Sequence, residues 1–302
     1  MARGTLRDAL AAEFPLVTAL AHDALSARLI QRAGFRAFNV GGSALLAARH
    51  ALPDIGLIGL KDMSDGIRDI AAATDLPFIA DADDGYGDVK SVARTVAEYE
   101  AIGVGGMLIE DQARDSKQQR ADKSSSVVDE TVIELKLRTA LASRSSRETL
   151  IIGRTDAYGA LGLDAALRRG ERFFGLGVDA VFVAGLRTPE DYARVGEKLK
   201  GGLLIAAMFE SPGMPWLTPA ELGRMGFSQV TYPVSLIYRA VAAMRAGLAE
   251  LRAFGLGRVD MTPMASAAEA GAALDDAVEV ARWREMERRF LASLPAEEAT
   301  TS

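Results

Sequence analysis

The chain has 302 residues, a length that suits a single α/β barrel, with 49% hydrophobic and 25% charged residues. A net charge of -6 argues against a nucleic-acid partner, which needs a basic face to meet phosphate. There is no cysteine, which excludes disulfides, thiolate metal sites and a cysteine nucleophile, and His22 and His50 are too few for a multi-histidine metal site.

The opening stretch, MARGTLRDALAAEF, is broken by charges and reads as the start of a helix, not a secretory signal. No apolar run approaches the roughly 20 residues of a membrane span, so the expectation is a cytoplasmic protein acting on small molecules. PLVTAL (15–20) is the first strand candidate. A unit then recurs: a helical stretch ends at a glycine and a short apolar run follows. It appears in LIQRAGFRAFNV, YEAIGVGGMLIE, ERFFGLGVDAVFV and LGRMGFSQVTYP. Gly34, Gly103, Gly177 and Gly226 stand where a left-handed helix cap is needed. The runs after them are continuously apolar, as strands covered on both faces should be. PFIADAD (77–83), TLIIGRTDA (149–157) and GLLIAAM (202–208) add three more strands. The total is about eight strands separated by helices, which predicts a (β/α)8 TIM barrel. The runner-up, a doubly wound open sheet, lacks the G-x-G-x-x-G turn that would support it.

Three regions depart from the unit. Residues 49–65 read as a long βα loop. Residues 113–126, ARDSKQQRADKSSS, read as a polar, mobile loop. From residue 233 to 302 the chain is mostly helical, a tail exceeding what a barrel needs. It packs either on a partner subunit or on its own barrel. The whole is read as one barrel domain, 1–302, with that tail.

Acidic residues collect at the predicted C-terminal ends of strands, where barrel chemistry sits. Asp81 and Asp83 end one strand, and their i, i+2 spacing predicts that both face the same side. Glu110 and Asp111 end the next, Arg154 and Asp156 the one after, and Asp54 lies in the long loop. Carboxylates converging at a barrel mouth repel without a cation, and oxygen-only ligation suits Mg²⁺ or Mn²⁺. The competing reading makes each Asp a turn or cap residue. That reading is preferred for Asp84 and for Asp88, which would cap VKSVARTVAEYEAI. Arg154 is either a structural partner of Asp156 or Glu110, or a bidentate grip on a substrate carboxylate. In NVGGSALL the amides of Gly42 and Ser43 would cradle an anionic oxygen. His22 precedes a helix and is read as helping to cap it.

These residues resemble the isocitrate lyase / phosphoenolpyruvate mutase superfamily, from about His22 to Tyr238. The resemblance rests on HDALSARLIQRAGF, GGS, LPDIGLIGLKD, ADADDGYG, IEDQ, IIGRTDA and YPVSL in that order. It implies a barrel, an essential Mg²⁺, and 2-oxo or 2-hydroxy carboxylate substrates. It implies Asp81 as principal metal ligand, with Asp83, Glu110 and Asp54 supporting through water. It places Gly42, Ser43 and Arg154 on the substrate, with Arg154 and Asp54 as catalytic groups. It also implies a homodimer or homotetramer whose C-terminal helices swap between subunits. The family's C–C lyases carry a Lys-Lys/Arg-Cys-Gly-His loop motif that is absent here. Leu108 stands where they usually place a histidine, and Ala184 and Ala207 near their glutamate and asparagine. The expected reaction is therefore decarboxylation of oxaloacetate or a related 2-oxo acid through a metal-stabilised enolate. The alternatives are a methylisocitrate- or dimethylmalate-type lyase with Lys117, Arg120 or Lys123 as replacement acid, a phosphonopyruvate-type mutase or hydrolase, or a non-catalytic oxo-acid binder.

Overall fold

The computed structural model describes residues 3–114, 117, 126–260 and 262–292. The chain divides into two compact units, Met1–Val241 and Ala242–Ser302.

The first unit is a closed eight-stranded parallel barrel, in which each strand pairs with its neighbours in chain order. The strands are β1 Leu16–Ala21, β2 Phe38–Val40, β3 Phe78–Asp81, β4 Gly106–Glu110, β5 Leu150–Thr155, β6 Ala180–Val183, β7 Leu203–Ala207 and β8 Gln229–Tyr232. Closure comes from β1 against β8, with Leu16 opposite Gln229 and Thr18 opposite Thr231. All eight predicted strands are present, within a residue or two for those given limits.

Alternate strand residues turn inward and fill the barrel. Leu16, Ile79, Leu108, Ile152, Phe182 and Ile205 pack there into one buried cluster. Leu6 and Ala9 of the helix Leu6–Ala12 join the same cluster. Inward-facing Gly106 makes the room: a Cβ there would sit 3.0 Å from Leu6 Cδ1 and 3.2 Å from Ile79. Some polar interior groups pair with one another: Gln229 Nε2 donates to Thr18 Oγ1 (3.0 Å) and to Asn39 Oδ1 (2.9 Å). The outward-facing residues form the second core layer beneath the helices, where Phe38 and Phe78 stack with ring centroids 5.0 Å apart.

The helices begin on side-chain caps. Asp23 accepts from Ser26 N (2.7 Å) in a capping box, Thr188 precedes Pro189 at a helix start, and Thr218 forms a box with Glu221. Gly34, Gly103, Gly177 and Gly226 all have positive φ and end their helices as predicted. Residues 49–65 differ from the expected long loop. The helix Gly42–His50 ends where Ala51 turns left-handed, and the helix Leu60–Ala72 begins early because Asp62 caps Gly59 N. Only residues 51–59 form the connection.

The second unit contains the end of the helix Ser235–Gly255 together with helices Ala267–Ala277 and Val280–Ala292. On the last of these, Trp283, Met286 and Phe290 make an exposed apolar stripe at helical spacing. No helix among the described residues is long and apolar enough to cross a membrane.

Candidate metal centre

β3 ends at Asp81, and the next residues are stitched to the end of β4. Ala82 N donates to Leu108 O (2.9 Å), and Glu110 N donates to Asp83 O (2.8 Å). Asp83 itself is left-handed, with φ 47°. The expectation that Asp81 and Asp83 share a side through strand alternation is therefore corrected. The strand stops at Asp81, and a turn brings Asp83 round, with Asp83 N donating to Asp81 Oδ1 (3.0 Å). The outcome is the same: ligand oxygens of Asp81, Asp83 and Glu110 lie within 4.8 Å of one another. Behind them Tyr99 Oη donates to Asp81 O (2.8 Å) and lies 2.9 Å from Tyr86 Oη, which fixes the end of β3 from outside the barrel.

Three cations reach this cluster among the described residues, Arg114 from its edge with Nη2 3.8 Å from Asp83 Oδ2. Arg154 on β5 places Nη1 2.8 Å from Glu110 Oε2. Its Nε and Nη2 grip the two oxygens of Asp156 at 2.8 and 3.0 Å. Both structural partners expected for Arg154 are thus present. Lys117, named from the sequence as one of three candidate loop acids, is the most buried of the three cations. Its ammonium hydrogen-bonds Asp83 and lies 2.9 Å from Glu110 Oε1 and 3.7 Å from Asp54 Oδ1. Asp54 from the 51–59 connection therefore reaches the cluster. The other two candidate acids of that loop, Arg120 and Lys123, lie outside the described residues.

Burial sets the electrostatics. It raises the Asp81 carboxyl, and Glu110 raises it further, while Lys117 and Arg154 pull the other way. Burial, then Asp81 and Glu110, pushes Asp83 up to about 7. For Lys117, burial works against the charge, but Glu110, Asp83, Asp81 and Asp54 outweigh it and the ammonium is raised. Arg154 is likewise raised, because Asp156 and Glu110 overcome its burial.

Gly42 and Ser43 open the helix Gly42–His50, so their N–H groups point out of its first turn toward the mouth. Gly42 N lies 3.4 Å from Asp81 Oδ2, beside the carboxylates as expected. Asp84 accepts from Tyr86 N (3.1 Å) in a turn and pairs with Lys136 (3.0 Å), and Asp88 caps the next helix through Lys90 N and Ser91 N. Both take the turn and cap roles expected of them. His22 does not cap its helix with its ring; Asp23 does that, and burial lowers the imidazole's pKa.

Asp111 faces away from the cluster. It accepts from Asp156 N (2.8 Å), Thr155 Oγ1 (2.7 Å) and Arg169 Nη1 (2.8 Å), while Arg169 Nη2 reaches Val128 O (2.9 Å). This buried network holds Asp156, and through it Arg154. Arg169 carries no sequence motif and went unread. Ala184 follows the end of β6 and Ala207 ends β7, both buried, and Phe182 lies beneath the Arg154 guanidinium at 5.6 Å.

A family model described as phosphoenolpyruvate phosphomutase matches residues 6–252. The chain belongs to that family. It is 36% identical to a probable 2-methylisocitrate lyase of Corynebacterium glutamicum over 76% of this chain and 75% of that enzyme. It is 35% identical to 2,3-dimethylmalate lyase of Eubacterium barkeri over 79% and 82%. Among solved structures, oxaloacetate acetylhydrolase is similar with a TM-score of 0.80 at 29% identity, covering 93% of this chain and 97% of that one. Phosphonopyruvate hydrolase in complex with oxalate and Mg²⁺ is similar with a TM-score of 0.80 at 28% identity, covering 95% and 98%. The family expected from the sequence is therefore shown. These relatives favour the lyase alternative over the decarboxylase first expected.

Proposed function

We propose that the chain is a Mg²⁺-dependent carbon–carbon lyase of a small, alkyl-substituted 2-hydroxy acid of the 2,3-dimethylmalate kind. One observation supports the reading: a carboxylate cluster reached by Arg154 lies at the ends of β3 and β4, and the positions at the ends of β6 and β7 are the small, buried, apolar Ala184 and Ala207. The cluster offers oxygen donors alone, the set a hard divalent cation takes, with Asp81, Asp83 and Glu110 holding it and Asp54 behind. A divalent cation held by these residues would supply the Lewis acidity that favours the deprotonated form of the substrate's 2-oxygen.

The chain's own groups do the rest. Arg154 and the amides of Gly42 and Ser43 orient the substrate carboxylate. Ala184 and Ala207 leave apolar room for the alkyl end and keep water from it. Loss of the hydroxyl proton and rupture of the C2–C3 bond leave the electron pair on C3, which then takes up a proton.

The second reading is decarboxylation of oxaloacetate. The absence of cysteine favours it, because the enolate left by CO₂ can take its proton from solvent. A single assay separates the two. Pyruvate release is measured with Mg²⁺ and 2,3-dimethylmalate, methylisocitrate, oxaloacetate or phosphonopyruvate, on wild type and Asp81→Asn. Pyruvate from 2,3-dimethylmalate that is lost with EDTA and in Asp81→Asn is expected. Release from oxaloacetate alone supports the second reading. Oxalate binding with no release from any substrate overturns both and leaves a binding protein.

A further inference from the structure

The Lys117 ammonium makes the contacts of a bound cation. It is a single positive charge, 3% exposed as a residue, among oxygens from three separate segments. Asp83 comes from the turn after β3, Glu110 from the end of β4, and Asp54 from the 51–59 connection. Asp83 and Glu110 are two of the three carboxylates whose oxygens converge tightly enough to hold a metal ion. An ammonium and a divalent ion cannot share these oxygens, because two positive charges about 3 Å apart in a buried site repel strongly. With neither Lys117 nor a metal, the buried carboxylates would keep only Arg154, which already serves Asp156, and Arg114, a third exposed and 3.8 Å from Asp83, among the described residues.

We propose that Lys117 is the internal counter-cation of the metal centre: Mg²⁺ uptake expels its ammonium from the carboxylates, so the site holds either Lys117 or the metal. This rests on the metal reading above. It gives Lys117 a role apart from proton transfer. The lysine keeps the metal-free site neutralised, lowers its apparent Mg²⁺ affinity, and becomes accessible when the metal enters.

Two measurements test it. In the first, full-length wild type is acetylated with an amine-reactive reagent in EDTA and in saturating Mg²⁺, and each lysine is followed by mass spectrometry. Lys90, whose side chain is 87% exposed, serves as the constant reference. Lys117 should react at least about tenfold more slowly than Lys90 in EDTA and approach it in Mg²⁺. In the second, calorimetry compares Mg²⁺ uptake by wild type and Lys117→Met. The variant should bind at least about tenfold more tightly, the scale of one buried charge pair, and should gain more thermal stability from Mg²⁺ than wild type does. Equal protection of Lys117 with and without Mg²⁺ overturns the inference, and that arm stands even if the variant fails to fold. Equal or weaker uptake by the folded variant also overturns it, while leaving the metal reading intact. Absence of uptake by both proteins overturns the two together.

Discussion

Asp111 is the residue whose removal should cost the barrel most. Its carboxylate, fully buried, receives three donors at 2.7 to 2.8 Å: the Asp156 amide, the Thr155 hydroxyl and the Arg169 guanidinium. Asp111→Ala leaves a buried guanidinium without its carboxylate, and breaking a buried ion pair from one side costs about 3–5 kcal/mol. For a unit of this size each kcal/mol moves the midpoint by roughly 2–4 °C, so the loss should be roughly 6–20 °C. Thermal unfolding by circular dichroism, without metal, reads it directly. The double variant Asp111→Ala/Arg169→Met removes the stranded charge as well, so it should be more stable than the sum of the single losses predicts. Because Asp156 loses its anchor, Arg154 should also hold the substrate carboxylate less well, seen as a rise in KM. A loss below about 1 kcal/mol, or strict additivity in the cycle, would refute the account of Asp111 as a buried electrostatic anchor.

Tyr99→Phe removes the donor to the Asp81 carbonyl and should cost about 1–2 kcal/mol in urea unfolding while weakening Mg²⁺ uptake; unchanged uptake would separate the tyrosine from the site. Gly196→Ala would place a Cβ 1.7 Å from the Met225 carbonyl oxygen, which belongs to rigid backbone. It should destabilise by about 3 kcal/mol or more, and a neutral result would contradict that close helix contact. Since burial and its acidic neighbours push Asp83 up to about 7, its proton must leave for metal to enter. Apparent Mg²⁺ affinity should fall about tenfold per pH unit below that point. A carboxyl raised on folding stabilises below its unfolded value near 4 and loses this as pH rises through about 7. The metal-free midpoint should therefore fall over that window, and Mg²⁺ should restore it. Affinity flat between about pH 6 and 8 would count against the assignment.

The barrel was legible because its cues are local. A glycine with positive φ ends a helix, and an apolar run long enough for one strand follows, as at Gly103 before β4 and Gly177 before β6. Asp81, Glu110 and Arg154 were legible for the same reason, since strand ends place them. Asp83 reached the right place by a different route, a left-handed turn that period-two counting does not contain. Arg169 was hidden, and Lys117 was named only as one of three loop cations, with nothing to single it out. A lysine in a polar loop and an arginine in an amphipathic helix look like solvated charges until long-range packing buries them. The helical ends of residues 49–65 were missed because their stop and start signals are an unusual left-handed Ala51 and a glycine N-cap.

The seam between β1 and β8 has a consequence for synthesis. Thr18 makes its hydrogen bond to Val230, 212 positions later in the chain. A ribosome must therefore release nearly the whole first unit before its earliest strand meets its last neighbour. Until then β1 has an open edge, and the interior that Leu6 will help fill faces water. Assembly dominated by so distant a pairing is slow, and the nascent protein has a long interval in which a chaperone, or another unfinished copy, can reach that edge first.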